Sequence, residues 1–108
     1  MIKTLKYKDE TILDVLIADS FTKRLFGYMF RKTPHHNAIL LNPCNSIHTF
    51  FMKFNIDVLF LDEHMQVIKK MENLRSGQVV TKVIGARAVL ESRVGLFSNI
   101  EEGCKLYI

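Results

Sequence analysis

The run Ile56–Leu61 is apolar on both of the faces that alternate along a β-strand. One face would carry Ile56, Val58 and Phe60, and the other would carry Leu59 and Leu61. A strand that has no polar face must be covered by protein on both sides. The run therefore predicts a strand in the centre of a sheet.

Further apolar runs, each bounded by turn residues, predict the other strands. They lie at residues 4–7, 12–17, 38–41, 67–71, 86–90 and 104–108, and residues 78–83 have an extended character. The first two runs flank the charged turn Lys8-Asp9-Glu10 and predict a hairpin. Short connections between consecutive strands favour antiparallel pairing over crossover connections.

Two segments have helical spacing instead. Asp19 and Ser20 are N-cap residue types, and the apolar residues that follow predict a short amphipathic helix that ends near Gly27 or Tyr28. Ser92 would begin a second short helix, whose apolar residues are Val94, Phe97 and Ile100.

The length and composition fit a single domain over residues 1–108. A chain of 108 residues with 48% hydrophobic residues is long enough to build one core and too apolar to be disordered. Its elements predict an α+β fold. We expect a mostly antiparallel, curved or partly closed barrel-like sheet of about six to seven strands with two short helices.

Charge and apolar patterning argue against two classes of partner. The 15 Lys and Arg exceed the 11 Asp and Glu by four, but they are scattered, and most aromatic residues lie in apolar neighbourhoods. We therefore predict no nucleic-acid partner. No apolar run approaches the ~20 residues of a membrane helix, and residues 1–10 do not resemble a secretory signal. These patterns predict a cytoplasmic monomer without a membrane partner, in which Cys44 and Cys104 are free thiols.

Residues 43–62, PCNSIHTFFMKFNIDVLFLD, hold the residue types that carry chemistry. Cys44, His48 and Met52 are spaced four apart, so a shared site requires a helical turn or a bent loop between Cys44 and His48. These soft ligands suit Cu(I), or zinc if Asp57 or a second cysteine joins them. The Cys44–His48 pair would also suit an activated thiolate, and His48 with Asp57 a small polar ligand. Burial in the core explains Cys44 and Met52 as well.

Two acidic residues have structural interpretations. Asp57 stands at the start of the apolar strand, where an ion pair with Arg24 or Lys53 would offset the cost of burying a charge. Glu91 precedes the helix predicted from Ser92, where a carboxylate would be stabilised by the helix dipole.

Three blocks of the chain resemble the domain-of-unknown-function 192 (DUF192) family. They are IADSFTKRLFGYMFRK at 17–32, the block at 43–62, and GARAVLES at 85–92. The Cys-x3-His-Thr pattern that starts at Cys44 resembles one branch of that family. The resemblance implies a small, strand-rich α+β domain, and it implies no catalytic assignment because the family has no settled activity.

These observations lead to one hypothesis, in which Arg24, Cys44, His48, Asp57 and Glu91 converge in a single pocket. The predicted function is a non-enzymatic binding module, whose polar pocket near His48, Asp57 and Arg24 takes a small polar or anionic ligand without a cofactor. The alternative is an enzyme or a metal-binding protein that uses Cys44 and His48, with Met52 as a further metal ligand. A third possibility is a protein-interaction module that docks through an edge strand.

Overall fold

The computed structural model describes residues 1–8, 10–18, 28 and 37–108, apart from the side chains of Thr11 and Ile12. These residues form eight β-strands: β1 (Ile2–Tyr7), β2 (Glu10–Ala18), β3 (Ala38–Leu41), β4 (Ile47–His48), β5 (Ile56–Leu61), β6 (Val67–Leu74), β7 (Val79–Val80) and β8 (Ala88–Arg93). In the part of the chain described, no helix is long and apolar enough to cross a membrane.

The strands form two sheets. Six strands pair in the order β1-β2-β3-β8-β5-β6, and β4 pairs with β7 in a separate two-stranded sheet. The hairpin predicted at the start of the chain is confirmed, because β1 and β2 pair antiparallel and Lys8 adopts a positive φ of 52° in the turn. The strand predicted at Ile56–Leu61 is confirmed as an interior one, since β5 lies between β8 and β6 and all six of its residues are buried.

Alternation along the strands divides the core into two clusters, one on each face of the large sheet. The Leu90 face buries Leu5, Val15, Leu40, Leu59, Leu90, Phe97, Ile100 and Leu106. The Val89 face buries Tyr28, Ile39, Leu41, Ile47, Met52, Val58, Phe60 and Val89. The small β4–β7 sheet therefore packs through Ile47 against the Val89 face.

The prediction of an α+β fold is wrong for the described residues, which contain strands and turns but no helix. Ser92 lies inside β8, and residues 94–99 form turns. Phe97 and Ile100 are buried from these turns. Their carbonyls accept hydrogen bonds from the Lys70 ammonium, at 2.9 and 2.8 Å, and the Phe97 carbonyl also accepts the Ile100 N–H at 3.0 Å. The helix predicted after Ser20 lies outside the described residues, apart from Tyr28 in a turn.

The predicted single, barrel-like sheet is also wrong. The large sheet is mixed, because β2 and β3 pair in parallel while the other neighbours pair antiparallel. Among the described strands the sheet does not close into a barrel, since β1 and β6 are the outer strands and do not pair with each other. Residues 104–108, predicted as a last strand, make two isolated bridges, Lys6 with Tyr107 and Gln66 with Lys105.

Candidate functional site

The β4–β7 sheet presents one face to the core and one to solvent. Ile47 pairs with Val80 and His48 pairs with Val79. Because cross-strand partners share a face and Ile47 is buried against the Val89 face, His48 and Val79 project outward. Val79 is 60% exposed. The outward face is thus a place where a ligand can reach side chains held by backbone pairing.

Thr49 fixes the turn that follows β4 to the loop that precedes β7. Its buried hydroxyl donates to the Arg75 carbonyl at 2.6 Å and accepts the Gln78 N–H at 2.8 Å. Its carbonyl accepts the Ser76 hydroxyl and the Gly77 N–H. We did not predict this role, since nothing in the sequence shows that the Thr of the Cys-x3-His-Thr pattern meets a loop 26 residues away.

His48 is held in one orientation by Phe50. The Phe50 N–H donates to Nδ1 of His48 at 3.2 Å, and the two rings stack with centroids 5.3 Å apart. A neutral imidazole that accepts at Nδ1 carries its proton on Nε2. Nε2–H is therefore the His48 group that can donate to a ligand.

A groove of about 470 Å³ lies beside this ring. Its lining consists of Ser46, Ile47, His48, Phe50, Val79, Val80, Thr81 and Lys82. Half of these side chains are apolar, and Lys82 supplies an ammonium group. We call this feature the β4–β7 groove. It combines a flat aromatic surface, a ring N–H donor and a positive charge.

Cys44 and Met52 lie on the core side of this region. The Cys44 thiol donates to the Ser46 carbonyl at 3.0 Å and packs against the Val89 face, and Met52 is buried in that face. His48 projects from the opposite side of β4. Among the described residues, no group of three or more His, Cys, Asp or Glu side chains could hold a metal ion.

Asp57 is committed to the backbone. One carboxylate oxygen accepts the Asn73 N–H at 2.8 Å and the other accepts the Gly95 N–H at 2.9 Å. The buried carboxylate therefore joins β5 to the end of β6 and to the turn after β8. Backbone N–H groups, and not the predicted side chains, are thus the partners of Asp57. Lys53 forms no ion pair with Asp57, and Arg24 lies outside the described residues.

Glu91 lies on the other face of the large sheet from Asp57. Val58 pairs with Glu91 and Asp57 pairs with Ser92, so the two carboxyl groups point in opposite directions. Glu91 is 2% exposed, and burial raises its pKa to about 8. Burial also raises the pKa of the Tyr28 hydroxyl, and the Glu91 charge raises it further. The structure does not bring Asp57 and Glu91 into one pocket.

The Cys104 thiol, which lies outside the 43–62 block, has two hydrogen-bond partners. Its Sγ lies 3.0 Å from the Tyr7 hydroxyl and accepts the Glu101 N–H at 3.4 Å. These hydrogen bonds lower the pKa of the Cys104 thiol, and the Lys8 charge adds to the effect. The sequence gives no sign of this because Tyr7 and Cys104 are 97 residues apart.

Comparison with known proteins places this fold in a family. The model of DUF192, Uncharacterized ACR, matches residues 3–108. The chain belongs to the DUF192 family. The DUF192 chain is 37% identical over 93 residues to a UPF0127 protein of Pyrococcus horikoshii. That match covers 82% of this chain and 79% of the Pyrococcus protein. The chain is also 40% identical over 87 residues to a UPF0127 protein of Pyrococcus abyssi, and this match covers 76% of this chain and 73% of that protein.

A solved structure supports the DUF192 fold. It is the crystal structure of a protein of unknown function from Novosphingobium aromaticivorans, with a TM-score of 0.81 and 18% sequence identity. The match covers 99% of this chain and 83% of that one. At this identity the likeness concerns the fold alone. The assignment to a branch with the Cys-x3-His-Thr pattern stays a prediction.

Proposed function

We propose that this DUF192 protein is a non-enzymatic binding module, and that its β4–β7 groove takes a small anion bearing an apolar or aromatic group. The observation that carries the proposal is the His48–Phe50 stack, which stands on the outward face of the small sheet beside Lys82. The stack offers a flat apolar surface, and Nε2–H and the ammonium group offer charge-assisted hydrogen bonds to an anion.

The surrounding sequence favours an anion over a cation. Residues 43–56 and 73–87, which contain the whole groove lining, include no Asp or Glu. They include Lys53, Arg75, Lys82 and Arg87. An anion that enters the groove therefore meets positive charge and no carboxylate from these two segments.

Of the residues predicted to line the pocket, His48 contacts the ligand in this proposal and Asp57 does not. Both Asp57 oxygens already accept backbone hydrogen bonds, so a ligand would have to displace one of them. Arg24 lies outside the described residues, and its part in binding stays a prediction.

The test is a titration with benzoate, followed by the NMR signals of the His48 and Phe50 rings. Benzyl alcohol, which has the same ring without the charge, is the matched ligand control. We expect saturable benzoate shifts and weaker binding of benzyl alcohol. Replacing His48→Ala or Lys82→Gln should weaken benzoate binding by about threefold to tenfold, because each removes one charge-assisted contact.

Lys3→Gln serves as the control for loss of one surface charge, because Lys3 lies in β1 and outside the groove lining. Raising the salt concentration should weaken benzoate binding. Equal binding by the Lys82 and Lys3 variants, or equal affinity for benzoate and benzyl alcohol, would contradict the proposal.

A further inference from the structure

Large exposed apolar side chains lie next to the groove-lining residues in the sequence. Phe51 is 62% exposed and follows Phe50, which is itself 43% exposed. Ile84 is 90% exposed and lies two residues after Lys82. Exposed apolar groups that gather on one pair of segments are typical of a protein interaction surface. The apolar surface is thus larger than a small anion needs.

The charged side chain that lines the groove, Lys82, is positive, and so are the charged residues of the two segments that form the groove. Four of the 15 basic residues and none of the 11 acidic ones fall in segments 43–56 and 73–87. All four are exposed, but only Lys82 lines the groove, and Arg87 lines a separate pocket with Asp62, Glu63 and His64. A partner of complementary chemistry must therefore combine negative charge with large apolar groups.

The backbone of the small sheet favours a peptide. Thr49 N–H donates to the Gln78 carbonyl at 2.8 Å and Gln78 N–H donates to the Thr49 hydroxyl at 2.8 Å, so both backbone N–H groups point between the two strands. Their neighbours His48 and Val79 are then a non-hydrogen-bonded pair, whose backbone groups point to the outer edges of the sheet. An extended peptide can pair with such an edge, and a nucleic acid cannot.

The apolar side chains point to the same class of partner. Val79 and Ile84 are aliphatic and cannot stack with a base, whereas the His48 and Phe50 rings can, so it is the aliphatic pair that favours a peptide. Leucine or phenylalanine side chains of a peptide can pack against them.

We infer that the β4–β7 groove, together with Phe51 and Ile84, docks an extended acidic peptide segment that carries large apolar side chains. The inference rests on the proposed function, because it assigns the anion in the groove to a peptide carboxylate. Phe51 and Ile84 contact the partner outside the groove, so they matter for a peptide and not for benzoate.

The test uses fluorescence anisotropy with a fluorescein-labelled peptide that repeats Glu-Leu-Glu-Phe. Two further peptides replace each Glu by Lys, or each Leu and Phe by Ser, and a labelled oligothymidylate tests nucleic-acid binding. We expect the acidic apolar peptide to bind at least about tenfold more tightly than the other three probes, because it alone combines both properties.

Matched protein variants separate this inference from the proposed function. Ile84→Ser should weaken peptide binding by about threefold to tenfold and leave benzoate binding unchanged. Ile2→Ser, at an exposed isoleucine of β1, should change neither. Lys82→Glu should weaken both peptide and benzoate binding, whereas Lys3→Glu should weaken neither by more than about twofold.

Each other outcome is informative. Benzoate binding without peptide binding would leave the proposed function intact and remove this inference. Tighter binding of oligothymidylate than of the peptide would replace the partner by a single-stranded nucleic acid and overturn it. The same result follows if the Lys-substituted peptide binds as well as the acidic one, or if Ile84→Ser behaves like Ile2→Ser.

Discussion

Glu91 places a carboxyl group among the apolar side chains of the Val89 face. Its cross-strand neighbours are Ile39 and Val58, both fully or almost fully buried. The ionised form loses its hydration there, so burial raises the pKa of Glu91 from 4.5 to about 8. Between these two values the folded protein holds a proton that the unfolded chain has released. The contribution of Glu91 protonation to the free energy of unfolding is complete below pH 4.5. It falls as the pH rises from there and is lost once the pH has passed about 8.

Glu91→Gln should therefore stabilise the protein in a pH-dependent way. Glutamine keeps the size of the side chain and removes the titration. We expect the variant to match the native protein near pH 4.5 and to gain about 2–5 kcal/mol in free energy of unfolding at pH 9. Urea unfolding at both pH values measures the difference, and Glu10→Gln, at an exposed site, is the control. A stability difference that is the same at both pH values would contradict the shift.

The elements around the β4–β7 groove depend on a side chain for their position. A two-residue strand forms few ladder hydrogen bonds, so β4 and β7 cannot hold their register alone. Thr49 supplies the missing contacts, because its hydroxyl binds both a carbonyl and an N–H of the loop before β7. The relative position of the two strands that form the groove therefore depends on the hydrogen bonds of the Thr49 hydroxyl.

Thr49→Val should destabilise the protein and loosen the loop before β7. Valine has nearly the shape of threonine but can neither donate to Arg75 nor accept from Gln78. Leaving these backbone groups without the hydroxyl should cost about 1–3 kcal/mol in free energy of unfolding. Hydrogen exchange at the Gln78 amide should become faster. Thr81→Val, at an exposed threonine just after β7, should change stability by less than about 0.5 kcal/mol.

Elements were predictable where their own pattern decides their structure. Ile56–Leu61 is apolar on both faces, and it forms a strand for that reason. The helix predicted from Ser92 failed because that residue continues β8, where it pairs with Ala38 of β3 and with Asp57 of β5. Local spacing cannot show a partner that another element supplies.

At the scale of the whole molecule, which predicted site residues lie together is decided by the order and register of the strands. His48 was predicted as a site residue, and it lies on an accessible groove. Asp57 and Glu91 were predicted to meet, but the β5–β8 register pairs Glu91 with Val58 and sends the two carboxyl groups to opposite faces. A shift of one residue in that register would have reversed the result, and no sequence pattern fixes it.

The segment after Gly103 joins the two outer strands of the large sheet. The Cys104 carbonyl accepts the Val67 N–H at 2.8 Å, and Lys6 and Tyr107 exchange two hydrogen bonds at 2.7 and 2.9 Å. Leu106 is buried between these contacts in the Leu90 face. Strands that are far apart in the sheet order are thus held by one stretch of chain, and loss of its anchor should release both.

Leu106→Ala tests this coupling. Removing the buried side chain should lower the free energy of unfolding by about 2–5 kcal/mol, because it leaves a cavity in the Leu90 face. Hydrogen exchange should become faster at the amides of both Lys6 and Val67, since both bond to this segment. Ile108→Ala, at a residue 44% exposed, is the control and should alter neither amide. Faster exchange at only one of the two amides would mean that the outer strands are held independently, because a shared anchor must release them together.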